Sequence, residues 1–132
     1  YIKMYIEIKF EFQFLHTVET HSEDGVIVFS LEHAEYAFFS PDQFYNVAYH
    51  AYAEAFVKSN PKLDFPTTPN QLWSSVETIS GFTKDQILGT LGFEKIDLLY
   101  ILITIYFTHQ DKFRKELPEI IKQLDTIFEE AV

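Results

Sequence analysis

Residues 2–14 alternate without a break. Ile2, Met4, Ile6, Ile8, Phe10, Phe12 and Phe14 are apolar, and Lys3, Tyr5, Glu7, Lys9, Glu11 and Gln13 stand between them. A period of two over that length predicts a half-buried antiparallel strand with one wet face. Ser22-Glu23-Asp24-Gly25 follows, and Asp-Gly supplies the positive φ angles that a tight hairpin needs. A second strand is expected over 26–33. A turn of two or of four residues would place Ile27, Phe29 and Leu31 on the face of Phe10, Phe12 and Phe14; a turn of three would expose them. The first strand outruns its partner, so its open edge is expected to form a homodimer seam or to accept a strand from another protein.

Helical signals begin at Ser40-Pro41-Asp42-Gln43, which reads as an N-cap, a first-turn Pro and a capping-box Gln. Phe44, Val47, Ala48, Ala51, Tyr52, Ala55 and Phe56 then recur at helical spacing up to Asn60-Pro61,. Similar openings stand at Thr68-Pro69-Asn70-Gln71 and Thr83-Lys84-Asp85-Gln86, with Gly81 and Gly92 at expected C-caps,. Residues 96–107 are apolar on nearly every side. They read as a buried helix or a core strand, and the flanking charges favour helix. Pro118 starts or kinks a last helix that turns Leu117, Ile120, Ile121, Leu124, Ile127 and Phe128 inward. The expected fold class is therefore α+β: an N-terminal antiparallel β-hairpin with a long first strand, then four to five helices. At 132 residues this is expected to be one globular domain spanning 1–132.

Little in the sequence suggests catalysis. There is no Cys, no Ser in a Gly-flanked elbow and no glycine-rich phosphate loop. His16, Glu19 and His21 would point to different faces of a strand. His16 and His33 would oppose each other across the hairpin, but two His leave a metal site short of ligands. His50 and Glu54 share a helix face and are expected to point to solvent. No catalytic residue, metal or cofactor is expected. Residues 83–107 are similar in layout to a helix-turn-helix, yet the second helix lacks the exposed basic and amide side chains that a major groove requires.

Charge is more informative. The formal net charge is −10, which argues against nucleic acid as a direct partner, since phosphate binding needs a basic patch, and disfavours an anionic membrane. Residues 10–57 hold Glu11, Glu19, Glu23, Asp24, Glu32, Glu35, Asp42 and Glu54 and no Lys or Arg. Lys112, Arg114, Lys115 and Lys122 lie far along the chain. A one-signed stretch of that length fits a basic protein partner. Glu19, Glu23, Asp24, Glu32, Glu35 and Asp42 are the expected contact residues.

No family signature is present. As a physical type, a small, acidic, Cys-free chain resembles the immunity proteins of bacterial toxin systems. The resemblance implies an immunity or antitoxin-like inhibitor covering the cationic surface of a nuclease-type toxin. A phage-type mimic of nucleic acid follows from the same charge. A small-molecule-binding domain or enzyme would instead use a pocket of Tyr36, Tyr45, Tyr49 and Tyr52. The start lacks the basic end and apolar block of a secretory leader, and the absence of Cys fits a reducing compartment, so a cytoplasmic location is expected.

Overall fold

Ser30 is where the chain changes character: its side chain accepts from the His33 backbone N–H and caps a helix,. The structure is a computed structural model. It describes the backbone of residues 3–7, 18–21 and 26–131, with side chains from Phe29 to Glu129. Up to Ser30 lie three short strands, β1 (Lys3–Glu7), β2 (Val18–His21) and β3 (Val26–Ser30), in the order β1-β3-β2. Beyond it follow α1 (Leu31–Phe39), α2 (Val47–Ser59), α3 (Leu72–Ser80), α4 (Lys84–Leu91), α5 (Leu98–Thr108), α6 (Gln110–Glu116) and α7 (Pro118–Ala131).

The α+β expectation is overturned, because the described chain is mostly helical, with seven helices and only short strands. The long antiparallel hairpin is not the arrangement found. β1 has five residues and runs parallel to β3, with Lys3 beside Val26 and Glu7 beside Ser30. β2 pairs antiparallel to β3, from Val18 opposite Phe29 to His21 opposite Val26. Alternation reports that one face of a strand is buried; it does not encode the direction of the neighbouring strand. Residues 31–33 were expected to extend a strand, but the Ser30 cap turns them into the first turn of α1, so Leu31 leaves the sheet. Phe29 is buried. The Asp24-Gly25 turn and the side chains of Phe10, Phe12 and Phe14 lie outside the described residues, as do residues 8–14 of the expected long strand.

The sequence Leu31-Glu32-His33-Ala34-Glu35 favours helix, and a Tyr36 hydroxyl bond to Glu32, at 3.1 Å, adds an i,i+4 link,. α1 uses the residues that lead up to Ser40, so the expected box at Ser40 does not start a helix. Instead Ser40 ends α1, its N–H donating to the Tyr36 carbonyl. The next helix begins at Asn46, whose Oδ1 accepts from Tyr49 N–H at 2.9 Å,. The Thr68 opening also fails as a box: α3 starts after Gln71 with no side-chain cap. Thr83 and Gln86 do form the reciprocal box expected of them,. Gly81 and Gly92 close α3 and α4 with φ near +81°, a region costly for any residue with a Cβ.

α5 is the centre. Leu98, Leu99, Ile101, Leu102, Ile103, Thr104, Ile105 and Tyr106 are all buried along it, which resolves 96–107 in favour of a helix apolar all round. The small residues Ala51 and Ala55 lie buried on α2, which packs against α5 and, through its other side, against β2 and β3. α3, α6 and α7 complete the wrapping, with Phe113, Ile121 and Leu124 in the core. Tyr106 donates to Asp125 Oδ1 at 2.6 Å, and Arg114 lies 3.5 Å from the other oxygen, joining α5, α6 and α7. No helix among the described residues is long and apolar enough to cross a membrane.

These caps predict a contrast measurable by urea denaturation. Thr83→Ala should lower stability by about 1 kcal/mol, the usual worth of an N-cap. Ser40→Ala should change it by less than about 0.5 kcal/mol, as for a surface position without such a role.

Candidate functional site

Leu31, Ala34 and Phe38 recur on α1 at the spacing of one helix face. They form one wall of an open trough of about 690 Å³. Ala48, Tyr49 and Tyr52 of α2 face them, and Phe107 of α5, Phe128 of α7 and Phe29 of β3 complete the lining with Glu35 and Asn46. The aromatic rings hold one another in place. Tyr49 stacks on Phe107 with centroids 5.5 Å apart, and Phe107 meets Phe128 edge-to-face at 4.9 Å. Phe128 in turn stacks with Tyr106 at 5.6 Å and leans on Phe56 at 4.9 Å. Such contacts add to simple burial and fix ring orientation, so the floor of the trough is part of the core.

The rim is different. Phe38 and Phe39 are 77% and 79% exposed, and Tyr36, Phe44 and Tyr49 are exposed as well. Tyr36 stacks on Phe44 at 5.3 Å, linking α1 to the connection that precedes α2. Scattered exposed apolar residues are ordinary, but several large aromatics gathered beside an apolar trough mark an interaction surface.

Of the six expected contact residues, three have described side chains, and of these Glu35 lines the trough. Glu32 and Glu35 are exposed on α1, and Asp42 is exposed just beyond it. Glu32 accepts from the Tyr36 hydroxyl and, by that bond first, raises the Tyr36 pKa. Asp42 Oδ1 lies 3.3 Å from His109 Nε2, at the α5–α6 junction, without hydrogen-bond geometry. Burial lowers the His109 pKa, with Asp42 opposing the shift. Glu19 belongs to β2 by its backbone; its side chain, Glu23 and Asp24 lie outside the described residues.

The expected tyrosine pocket is divided. Tyr49 and Tyr52 line the trough, but Tyr36 is exposed and stacked on Phe44, outside the lining, and Tyr45 is buried in the core. Phe107 and Phe128 read from the sequence only as core residues, and Phe38 and Phe39 were not read as part of a site. The signal was the stripe at residues 31, 34 and 38, hidden because 31–33 read as strand.

Three histidines, His33, His50 and His109, have described side chains. His33 is on α1 and not on a strand, its Nδ1 3.0 Å from Ser30 Oγ; His16, expected opposite it, lies outside the described residues. His50 does not face solvent with Glu54, which instead pairs with Lys58 at 2.9 Å. α2 turns His50 inward until it is 0% exposed, with Nδ1 2.8 Å from the Tyr45 hydroxyl. Thr104, buried on α5, donates to the Tyr100 carbonyl at 2.7 Å. His50 Nε2 is left buried without a hydrogen-bond partner.

Burial pushes the His50 pKa down to about 3. The unfolded chain takes up a proton near pH 6.5 and the folded chain does not until near 3. Stability from this residue is therefore complete above pH 6.5 and is lost as pH falls toward 3, by about 1.4 kcal/mol per unit. Urea denaturation between pH 6 and 4 should show this, and His50→Gln should make the pH dependence shallower by about that amount per unit.

Comparison with protein-family models, curated proteins and solved structures gives no match, so the immunity or antitoxin reading drawn from composition finds no support there.

Proposed function

We propose that this chain is a protein-binding module that covers a basic partner with the acidic, aromatic surface of α1 and its exit toward α2. The observation that carries this reading is the pair Phe38 and Phe39, 77% and 79% exposed, on a helix that bears Glu32 and Glu35 and no Lys or Arg. Large aromatic side chains supply contact area at low entropic cost and are frequent hot spots. Carboxylates beside them steer a cationic surface into register. The two features serve different steps, charge for encounter and aromatic burial for residence.

The trough alone would also suit a small apolar ligand, since its volume lies in the usual range for such sites. A ligand held there would leave Phe39 in water, because Phe39 is not part of the lining. A protein surface covers both. Glu19, Glu23 and Asp24 extend the acidic stretch in sequence and belong to the same proposal.

The test is to capture the partner from the native host by cross-linking and then measure its kinetics across a salt series. Association should slow by about tenfold or more as salt screens the approach, while dissociation changes less. Glu32→Lys with Glu35→Lys should slow association at low salt. Phe38→Ser with Phe39→Ser should leave association nearly unchanged and raise dissociation by about tenfold or more, the loss expected of a hot spot. An acidic partner, or association indifferent to both salt and charge reversal, would overturn the proposal.

A further inference from the structure

We infer that the trough between α1 and α2 receives a single amphipathic α-helix of the partner, its apolar face toward Phe107 and its Lys or Arg residues beside Glu35 and Glu32. This rests on the reading that the chain binds a basic protein, and it names the element that binds. The reason for a helix lies in what the trough offers. Its walls come from α1, α2, α5 and α7, whose backbone groups are engaged within the helices. Phe29 comes from β3, which is the middle strand and pairs on both sides. An extended segment would therefore find no free strand edge to hydrogen-bond. A helix arrives with its own backbone satisfied and needs only apolar anchors spaced at i, i+3 or i+4, and i+7.

The lining matches that need. Ala34 on one wall and Ala48 on the other are small and partly buried, which leaves width between α1 and α2. Tyr49, Tyr52, Phe107 and Phe128 present aromatic surface to the anchors. Charge decides the occupant. Glu35 is the charged residue of the lining, Glu32 stands three residues before it on α1, and the Lys58 of α2 is paired with Glu54. A second copy of this acidic chain would bring like charge to the same place, which association disfavours. A helix whose apolar stripe is flanked by Lys or Arg meets both the trough and its carboxylates.

Because the chain has no Cys, one introduced thiol can report on the trough. Tyr49→Cys places it at an exposed position of the lining; Phe38→Cys on the opposite wall serves if the first variant fails to fold by circular dichroism. The probes are two synthetic peptides of identical Lys- and Leu-rich composition, one with Leu at helical spacing and one scrambled, and a third with Glu in place of Lys. The helical basic peptide should bind about tenfold or more tighter than the scrambled one. It should slow thiol labelling by about tenfold, and Glu35→Lys should weaken it. Equal binding of the two basic peptides with labelling unchanged would overturn the trough inference and leave the basic-partner reading standing. Tightest binding by the Glu-bearing helix would overturn both. Slow labelling of the free protein would show the trough already filled by the chain itself, and would overturn the inference as well.

Discussion

Burial of α5 is the constraint on which the rest depends. An 11-residue helix with an apolar residue at nearly every position has no face it can leave in water, so it must be surrounded. α2, α3, α6 and α7 do this with residues that are themselves amphipathic, and the small side chains of α2 let it approach α5 closely. The same requirement draws His50 inside. Its polar ring is accommodated in part by the Tyr45 hydroxyl, 2.8 Å from Nδ1, leaving Nε2 as the uncompensated cost,.

The functional surface grows out of this packing. Phe107 is in the last turn of α5, and Tyr49, Tyr52 and Phe128 gather around its ring. Among the described residues the trough is bounded by α1 on one side and α2 on the other, with Phe107 and Phe128 of the core between them. A floor locked by ring contacts and a rim of exposed aromatics suits recognition, since the groups that bind need little reordering on contact. Under the proposed function, acidity on α1 would select among partners able to cover an apolar surface, because like charge is costly near a desolvated interface.

Sequence reasoning reached the elements whose signals are local. The Thr83–Gln86 box, the Gly81 and Gly92 C-caps, α5 and the inward face of α7 are set by capping chemistry and periodicity within a few residues. It failed where two local signals competed. Ser30 and Ser40 are both plausible caps, and the apolar run before Ser30 favoured reading 31–33 as strand; the helix formers at 31–35 decided otherwise. The parallel pairing of β1 with β3 depends on a non-local choice that alternation does not carry. The trough was invisible for the same reason: it joins residues 29, 38, 52, 107 and 128 through tertiary packing, and only the acidic half of the site, Glu32, Glu35 and Asp42, could be read from charge.

The central claim is that Phe38 and Phe39 serve a partner and not the fold. The most direct measurement is urea unfolding of the free chain carrying Phe38→Ser and Phe39→Ser. Side chains that already lie in water contribute little, so the account predicts stability within about 0.5 kcal/mol of the parent, as for ordinary surface changes. A loss of about 3 kcal/mol or more, the cost of truncating a buried Phe, would contradict it by showing that these rings pack within the protein itself.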